Sequence, residues 1–192
     1  MIEPEIWVRA RSEIVTDCRV FEIRRDTCVR ASNDRAADFY VIESPDWVNV
    51  IPLTKDGTLV MIEQFRHGTE DVHLELPGGL IDEGEDPKVS ASRELLEETG
   101  YSSDKLILLG TSRPNPAIQS NTIFHYLALD CERTAETSFD ENESIVTRLF
   151  REDEVEDLII NGKITHSLVV AAFYYYKIHT ERNQAVSDAI TL

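Results

Sequence analysis

Residues 79 to 101, "GLIDEGEDPKVSASRELLEETGY", constrain this chain more than any other stretch. Asp86 reads as a helix N-cap, Pro87 suits the first helical position and Gly100 stands where a left-handed residue would end the helix. The spacing therefore predicts a helix over 87–99. Val89, Leu95 and Leu96 supply its apolar side, opposite much of a glutamate cluster. Glu94 has Glu97 and Glu98 three and four positions on, so the carboxylates share one face and repel by a few tenths of a kcal/mol per pair. They also occupy the last turn, where the helix dipole favours cations. A helix that breaks local rules in this way carries either a solvated acidic face or a functional cation site.

The rest of the chain alternates short apolar runs with turn signals. Residues 14 to 24, "IVTDCRVFEIR", and 37 to 43, "ADFYVIE", have the β-branched and aromatic enrichment of strands. With "ASNDRA" as the turn between them, they predict a small antiparallel sheet. "SPDW", residues 44 to 47, punctuates, and "VNVIPLT", "KDG" and "TLVMIEQFR" read as a hairpin. "VHLELPGG" is a strand ending at Gly78 and Gly79. After the helix, "KLILLGTS", "TIFHYLALD" and "SIVTRLF" read as strands. "REDEVEDLIIN" reads as a helix stopped by Gly162, and "THSLVVAAFYYYKIHTE" as a last helix, with the final ten residues expected to fray. Strands and helices mix without a regular βαβ repeat, which predicts an α+β fold.

A chain of 192 residues, 42% apolar, can bury a proper core as one domain or as one domain with a smaller appendage. Its 36 acidic residues against 19 basic ones give a net charge of -17. That argues against nucleic acid or an anionic membrane as a diffuse electrostatic partner, and a polyanionic substrate would need local cations. Cys18, Cys28 and Cys131 are odd in number and have no C-x-x-C pair, so neither a disulfide framework nor a thiolate zinc site is expected. No signal-like start and no apolar run of about 18 residues is found, and a cytoplasmic location is expected.

Gly79, five residues, Glu85, seven residues, then Arg93-Glu94-Leu95-X-Glu97-Glu98-X-Gly100 reproduce the Nudix box, with Tyr101 in the last position, where an aliphatic residue is usual. On this resemblance the chain is identified as a member of the Nudix hydrolases. The resemblance implies an α/β/α sandwich over 47–192, preceded over 1–46 by a β-rich segment that in relatives builds a domain-swapped homodimer. It implies that Glu94 and Glu98, with Glu97 close behind, ligate Mg²⁺, with Mn²⁺ as a substitute. The Gly78 carbonyl is a further ligand candidate, Arg93 orients Glu85, and Gly79 and Gly100 are structural. Hard cations suit an oxygen-rich pocket of this kind. On a diphosphate such ions neutralise charge, polarise the phosphorus and lower the pKa of an attacking water.

"WVNVIPLTKDGTLVMIEQFRHG", "LELPGGLIDEGE" and Pro114-Asn115-Pro116-Ala117 are similar to the ADP-ribose and nucleoside-diphosphate-sugar pyrophosphatases, whose marker proline matches Pro116. The resemblance implies that Arg66 contacts substrate phosphates, for which its planar fork is suited, against a plain surface salt bridge. It places Glu75 beside the metals, or as a structural partner of Arg66. Trp47 and the Phe39/Tyr40 pair are candidates to stack on adenine, against simple packing. Arg24 and Arg25 could reach a neighbouring subunit's ligand. "FDENESI", residues 139 to 145, falls where relatives carry the general base, giving Glu143 first and Glu141 second. His67 and His125, expected near strand ends facing the site, have no partner spacing that signals a zinc site and receive no role. The implied reaction is Mg²⁺-dependent hydrolysis of ADP-ribose to AMP and ribose 5-phosphate, with other nucleoside diphosphate sugars tolerated. The alternatives are a GDP-mannose or broad sugar-nucleotide pyrophosphatase and a catalytically silent ADP-ribose sensor, which the intact box carboxylates disfavour.

Overall fold

The computed structural model describes residues 3–139 and 144–190. The chain divides into two compact units, Met1–Pro45 with Arg113–Asn121, and Asp46–Ser112 with Thr122–Leu192.

The first unit is a three-stranded antiparallel sheet of β1 (Trp7–Asp17), β2 (Glu22–Arg30) and β3 (Ala36–Glu43), in that order. Residues 14 to 24 are therefore not one strand. The chain turns at 18–21, where Arg19 takes φ 68 and its amide donates to the Asp17 carboxylate, while the Cys18 amide donates to the Phe21 carbonyl. The part of β1 before residue 14 escaped sequence reading because the strand is exposed along most of its length and shows no inward apolar alternation. The loop at 113–121 joins this unit through the Ile42 amide on the Ile118 carbonyl and the Ser120 amide on the Ile42 carbonyl.

The second unit is a seven-stranded mixed sheet. Its path runs β10 (Ile145–Arg151), β5 (Thr58–Arg66), β4 (Trp47–Thr54), β9 (Ile123–Arg133) and β7 (Tyr101–Ser102), with β6 (Asp71–Glu75) on β5 and β8 (Lys105–Ser112) on β9. Only the central pair, β4 with β9, is parallel among the described strands. Helix α1 (Pro87–Thr99) covers one face of the sheet; α2 (Val155–Ile160), entered through a 3-10 turn at Glu152–Glu154, and α3 (Ser167–Ile190) supply residues to the other.

Strand alternation sorts the core. Val48 and Val50 of β4 and Tyr126 and Ala128 of β9 pack with Ala91 and Leu95 of α1. Ile51 and Leu53 of β4 and Leu127 of β9 face Val169, Ala172 and Phe173 of α3. A strand buried on both sides reads as a continuous apolar run, which is why "VNVIPLT" shows no polar alternation. Pro52 lies within this central strand, and the β4–β9 register shifts just beyond it. Helix α3 continues to Ile190, well past the stretch expected to be ordered.

Candidate active site

Helix α1 has the caps that its sequence predicts. The Asp86 carboxylate accepts from the Lys88 amide at 2.8 Å, Pro87 opens the helix, and Gly100 ends it at φ 74 with its amide on the Leu96 carbonyl. Which face is buried differs from the expectation. Ser90, Ala91, Leu95, Glu98 and Thr99 form the inward stripe, while Val89 is exposed. Glu98 thus lies on the core side, 4% exposed, rather than opposite it.

Two backbone features explain how a carboxylate is accommodated there. After β6 the chain runs along β4, with the Val50 amide on the Pro77 carbonyl and the Val48 amide on the Gly79 carbonyl. This brings Gly78 over β4 so closely that a Cβ would stand 2.2 Å from the Val48 carbonyl oxygen. The Gly78 amide points at α1 and donates to Glu98 Oε2 at 2.8 Å. At Gly79 a Cβ would lie 2.6 Å from Glu94 Oε1, so the missing side chain is the space that the Glu94 carboxylate uses.

Arg93 gathers the remaining acids. Its Nε and Nη2 reach Glu85 at 3.2 and 3.1 Å, and its Nη1 reaches Glu94 at 2.8 Å and Glu97 at 3.1 Å. Nη2 also donates to the Leu80 carbonyl and Ser90 Oγ. These contacts, that to Glu85 foremost, hold the guanidinium above its ordinary pKa, and the same hydrogen bond draws the Glu85 carboxyl down. Three carboxylates sharing one guanidinium remain net negative, and Glu97 stays 43% exposed at its side chain. Among the described residues, no three histidine, cysteine or carboxylate side chains already converge as a metal cage. The donors are nevertheless hard oxygens on one helix end, which fit Mg²⁺ or Mn²⁺ by type.

Arg66 ends β5 opposite Asp71 and Glu75 ends β6 opposite Ile62, so the long Arg66 side chain reaches back along the strand pair to meet the carboxylate. Nε and Nη2 of Arg66 grip the carboxylate bidentately at 3.0 and 2.8 Å. His166 Nδ1, just before α3, lies 3.0 Å from Glu75 Oε2. Glu75 is only 3% exposed, and burial alone would raise its pKa; hydrogen bonds from His166 and Arg66 and their charge outweigh this and hold it at about 2. His166, read in the sequence as part of the last helix, stands just before it and carried no functional signal.

The other candidates lie elsewhere. Trp47 begins β4, its indole nitrogen buried and without a hydrogen-bond partner. Tyr40 and Phe39 belong to the first unit, with Phe39 edge-on to Trp7 at 5.1 Å. Pro116 sits there too, in a turn where the Ile118 and Gln119 amides reach the Asn115 carbonyl. Arg24 pairs with Asp26 and Glu43, and Arg25 with Glu13. Glu141 and Glu143 lie outside the described residues. His125 does not face the site. It is fully buried between Asn49 Oδ1 and Ser112 Oγ, both at 2.8 Å, and stacks on Tyr175.

A mixed sheet between helices, with an acid-lined helix running up to a Gly-Gly corner, is the architecture of one group of enzymes. The chain belongs to the Nudix family: the NUDIX domain matches residues 44–173. It is 30% identical to a methanol dehydrogenase activator of Bacillus methanolicus, over 88% of this chain and 91% of that protein. It is 33% identical to an ADP-ribose pyrophosphatase of Bacillus subtilis (strain 168), over 52% of this chain and 54% of the other. In fold it is similar to a solved structure titled as that of an ADP compounds hydrolase, with a TM-score of 0.82, 22% identity and coverage of 95% of this chain and 97% of that one.

Proposed function

We propose that the protein is a Mg²⁺-dependent pyrophosphohydrolase that splits ADP-ribose into AMP and ribose 5-phosphate and tolerates other nucleoside diphosphate sugars. The observation that carries this reading is the placement of Glu98 and Glu94 against Gly78 and Gly79, the one carboxylate held by a backbone amide and the other occupying the space of an absent Cβ. The ADP-ribose pyrophosphatase among its relatives supports the substrate class.

Glu94, Glu98 and Glu97, with the Gly78 carbonyl, would hold the divalent ions. Bound there, the ions would neutralise the diphosphate and acidify the attacking water. Arg93 keeps Glu85 and the cluster in register, and binding would draw Glu94 and Glu97 off the guanidinium. Arg66, held edge-on by Glu75, presents its guanidinium to phosphate oxygens. Trp47 or Tyr40 would stack on the adenine, Pro116 is a further substrate-binding candidate, and Glu143 or Glu141 would serve as general base. Glu98→Gln keeps an acceptor for the Gly78 amide while removing charge, so turnover of ADP-ribose should fall on the order of 100-fold or more with folding intact. Unchanged turnover would refute the assignment of Glu98 as a ligand.

A homodimer built through the first unit belongs to the same reading. Among the described residues of that unit only Asp26 and Asn121 are buried, while Ile6, Val8, Ile14, Phe39 and Tyr40 are exposed. A three-stranded sheet without a buried apolar side chain requires cover, and a second copy would supply it. Light scattering that reports a monomer at micromolar concentration would exclude this.

The activator from Bacillus methanolicus motivates a second reading, in which the same hydrolysis serves to regulate a dehydrogenase. A screen of ADP-ribose, GDP-mannose and dinucleotide cofactors by kcat/KM separates the two. Preference for a sugar nucleotide favours the first, and preference for a dinucleotide cofactor favours the second.

A further inference from the structure

We infer that His166 is a positioning residue for substrate binding, acting through Glu75 to fix the guanidinium of Arg66; the inference rests on the phosphate-binding role proposed above for Arg66. The Glu75 carboxylate is almost wholly removed from water and is ionised, so it can only accept hydrogen bonds. Its Oε1 takes Arg66 Nε at 3.0 Å, and its Oε2 is shared between Arg66 Nη2 at 2.8 Å and His166 Nδ1 at 3.0 Å. His166 Nδ1 therefore carries the hydrogen. The Arg66 guanidinium and the Glu75 carboxylate form one planar, bidentate pair. The third donor, approaching from a different element, anchors that pair to the framework.

That framework is rigid where His166 leaves it. The His166 carbonyl accepts from the Val169 and Val170 amides at the start of α3, and Leu168, Val169, Ala172 and Phe173 of that helix are buried. A side-chain bond from Asn49 to the Leu168 carbonyl, 3.2 Å, ties the same turn to β4. The neighbouring Thr165 hydroxyl lies 3.3 Å from His73 Nδ1, whose Nε2 meets Thr69 Oγ1 at 2.6 Å. The start of α3 is thus fastened to β4 and β6 around the Glu75 carboxylate. Arginine binds diphosphate well only when its fork is held at a fixed angle, so the anchor acts on affinity rather than on the bond-breaking step.

The test uses the full-length protein and the variants His166→Ala and His166→Asn; asparagine places an amide N–H close to where Nδ1 stands. Two readouts are taken. Side-chain NMR follows the Arg66 Nε–H, assigned by its loss in Arg66→Lys, and steady-state kinetics with ADP-ribose and Mg²⁺ separates KM from kcat. The expected result is an Arg66 signal broadened by exchange in His166→Ala and restored in His166→Asn. Alongside it, KM should rise roughly tenfold in the alanine variant with kcat within about twofold, again restored by asparagine. In an Arg66→Ala background, His166→Ala should add nothing further to KM.

An Arg66 signal unchanged by His166→Ala overturns the inference, with or without activity on ADP-ribose. Equal KM effects of His166→Ala in the presence and absence of Arg66 also overturn it, because the histidine would then act by another route. An altered signal with no change in KM, together with an Arg66→Ala variant of normal KM, refutes instead the phosphate role of Arg66.

Discussion

Gly78 and Gly79 are neighbours, yet their side-chain hydrogens serve different ends. A Cβ at residue 78 would run into the backbone of Val48 and Asn49, which cannot move without disturbing the central strand. A Cβ at residue 79 would first meet the tip of the Glu94 side chain, its three nearest atoms all belonging to that carboxylate. Gly78→Ala should therefore cost stability, about 1–3 kcal/mol by chemical denaturation, as overpacking against a fixed wall does. Gly79→Ala should leave the unfolding midpoint nearly unchanged and lower kcat, since the displaced group is a metal-binding candidate. If the two variants lost stability equally, the distinction would fail. Glycine pairs of this kind cannot be apportioned from sequence, where "PGG" reads only as a turn signal; the difference arises from which neighbour each hydrogen faces.

At the scale of elements, α1 was the most legible part of the chain, because its N-cap, first-turn proline and terminal glycine are local signals that the cap hydrogen bonds and the left-handed Gly100 bear out. Its rotation about its own axis was not legible. Apolarity pointed to Val89, but the helix turns Glu98 inward because the Gly78 amide awaits it, a partner twenty residues back in the chain. The start of β1 was missed for a related reason, since a strand exposed on both faces leaves no period. A second linkage between elements gives a pH prediction. The Asn49 amide donates to α3, so its oxygen must accept from His125 Nδ1–H, and neutral His125 then accepts from Ser112 through Nε2. Burial depresses the His125 pKa to about 4. An unfolded histidine takes up its proton near 6.5, so between about 6.5 and 4 the unfolded state binds more protons and stability falls as pH falls. Above that window the contribution is constant. Melting temperatures of wild type and His125→Gln should accordingly draw closer together from pH 7 to pH 4.5, and a constant gap would contradict the account.

Across the whole molecule, a net charge of -17 sets the terms on which a diphosphate can approach. Divalent ions should act as the bridge, so Mg²⁺ should raise the melting temperature by mass action, and the rise should shrink in Glu94→Gln. A scan with and without EDTA checks this, and a wild type indifferent to Mg²⁺ would count against the proposed cation site. The family was readable because its signature is a spacing along the chain. No helix among the described residues is long and apolar enough to cross a membrane. Substrate-side roles for Trp47, Tyr40 and Pro116 are not fixed by any such spacing, because the surroundings of a side chain depend on chain segments far apart in sequence.

The excursion of residues 113–121 into the first unit sets limits on inheritance and engineering. The N-terminal sheet is not a cassette on a single tether. Replacing residues 1–45 with those of a relative would leave the Ile118 carbonyl and the Ser120 amide facing a strand they did not evolve beside. Chimeras that exchange the two stretches together should express as folded protein where single exchanges aggregate. Natural lineages altering this sheet would have to change both stretches in step.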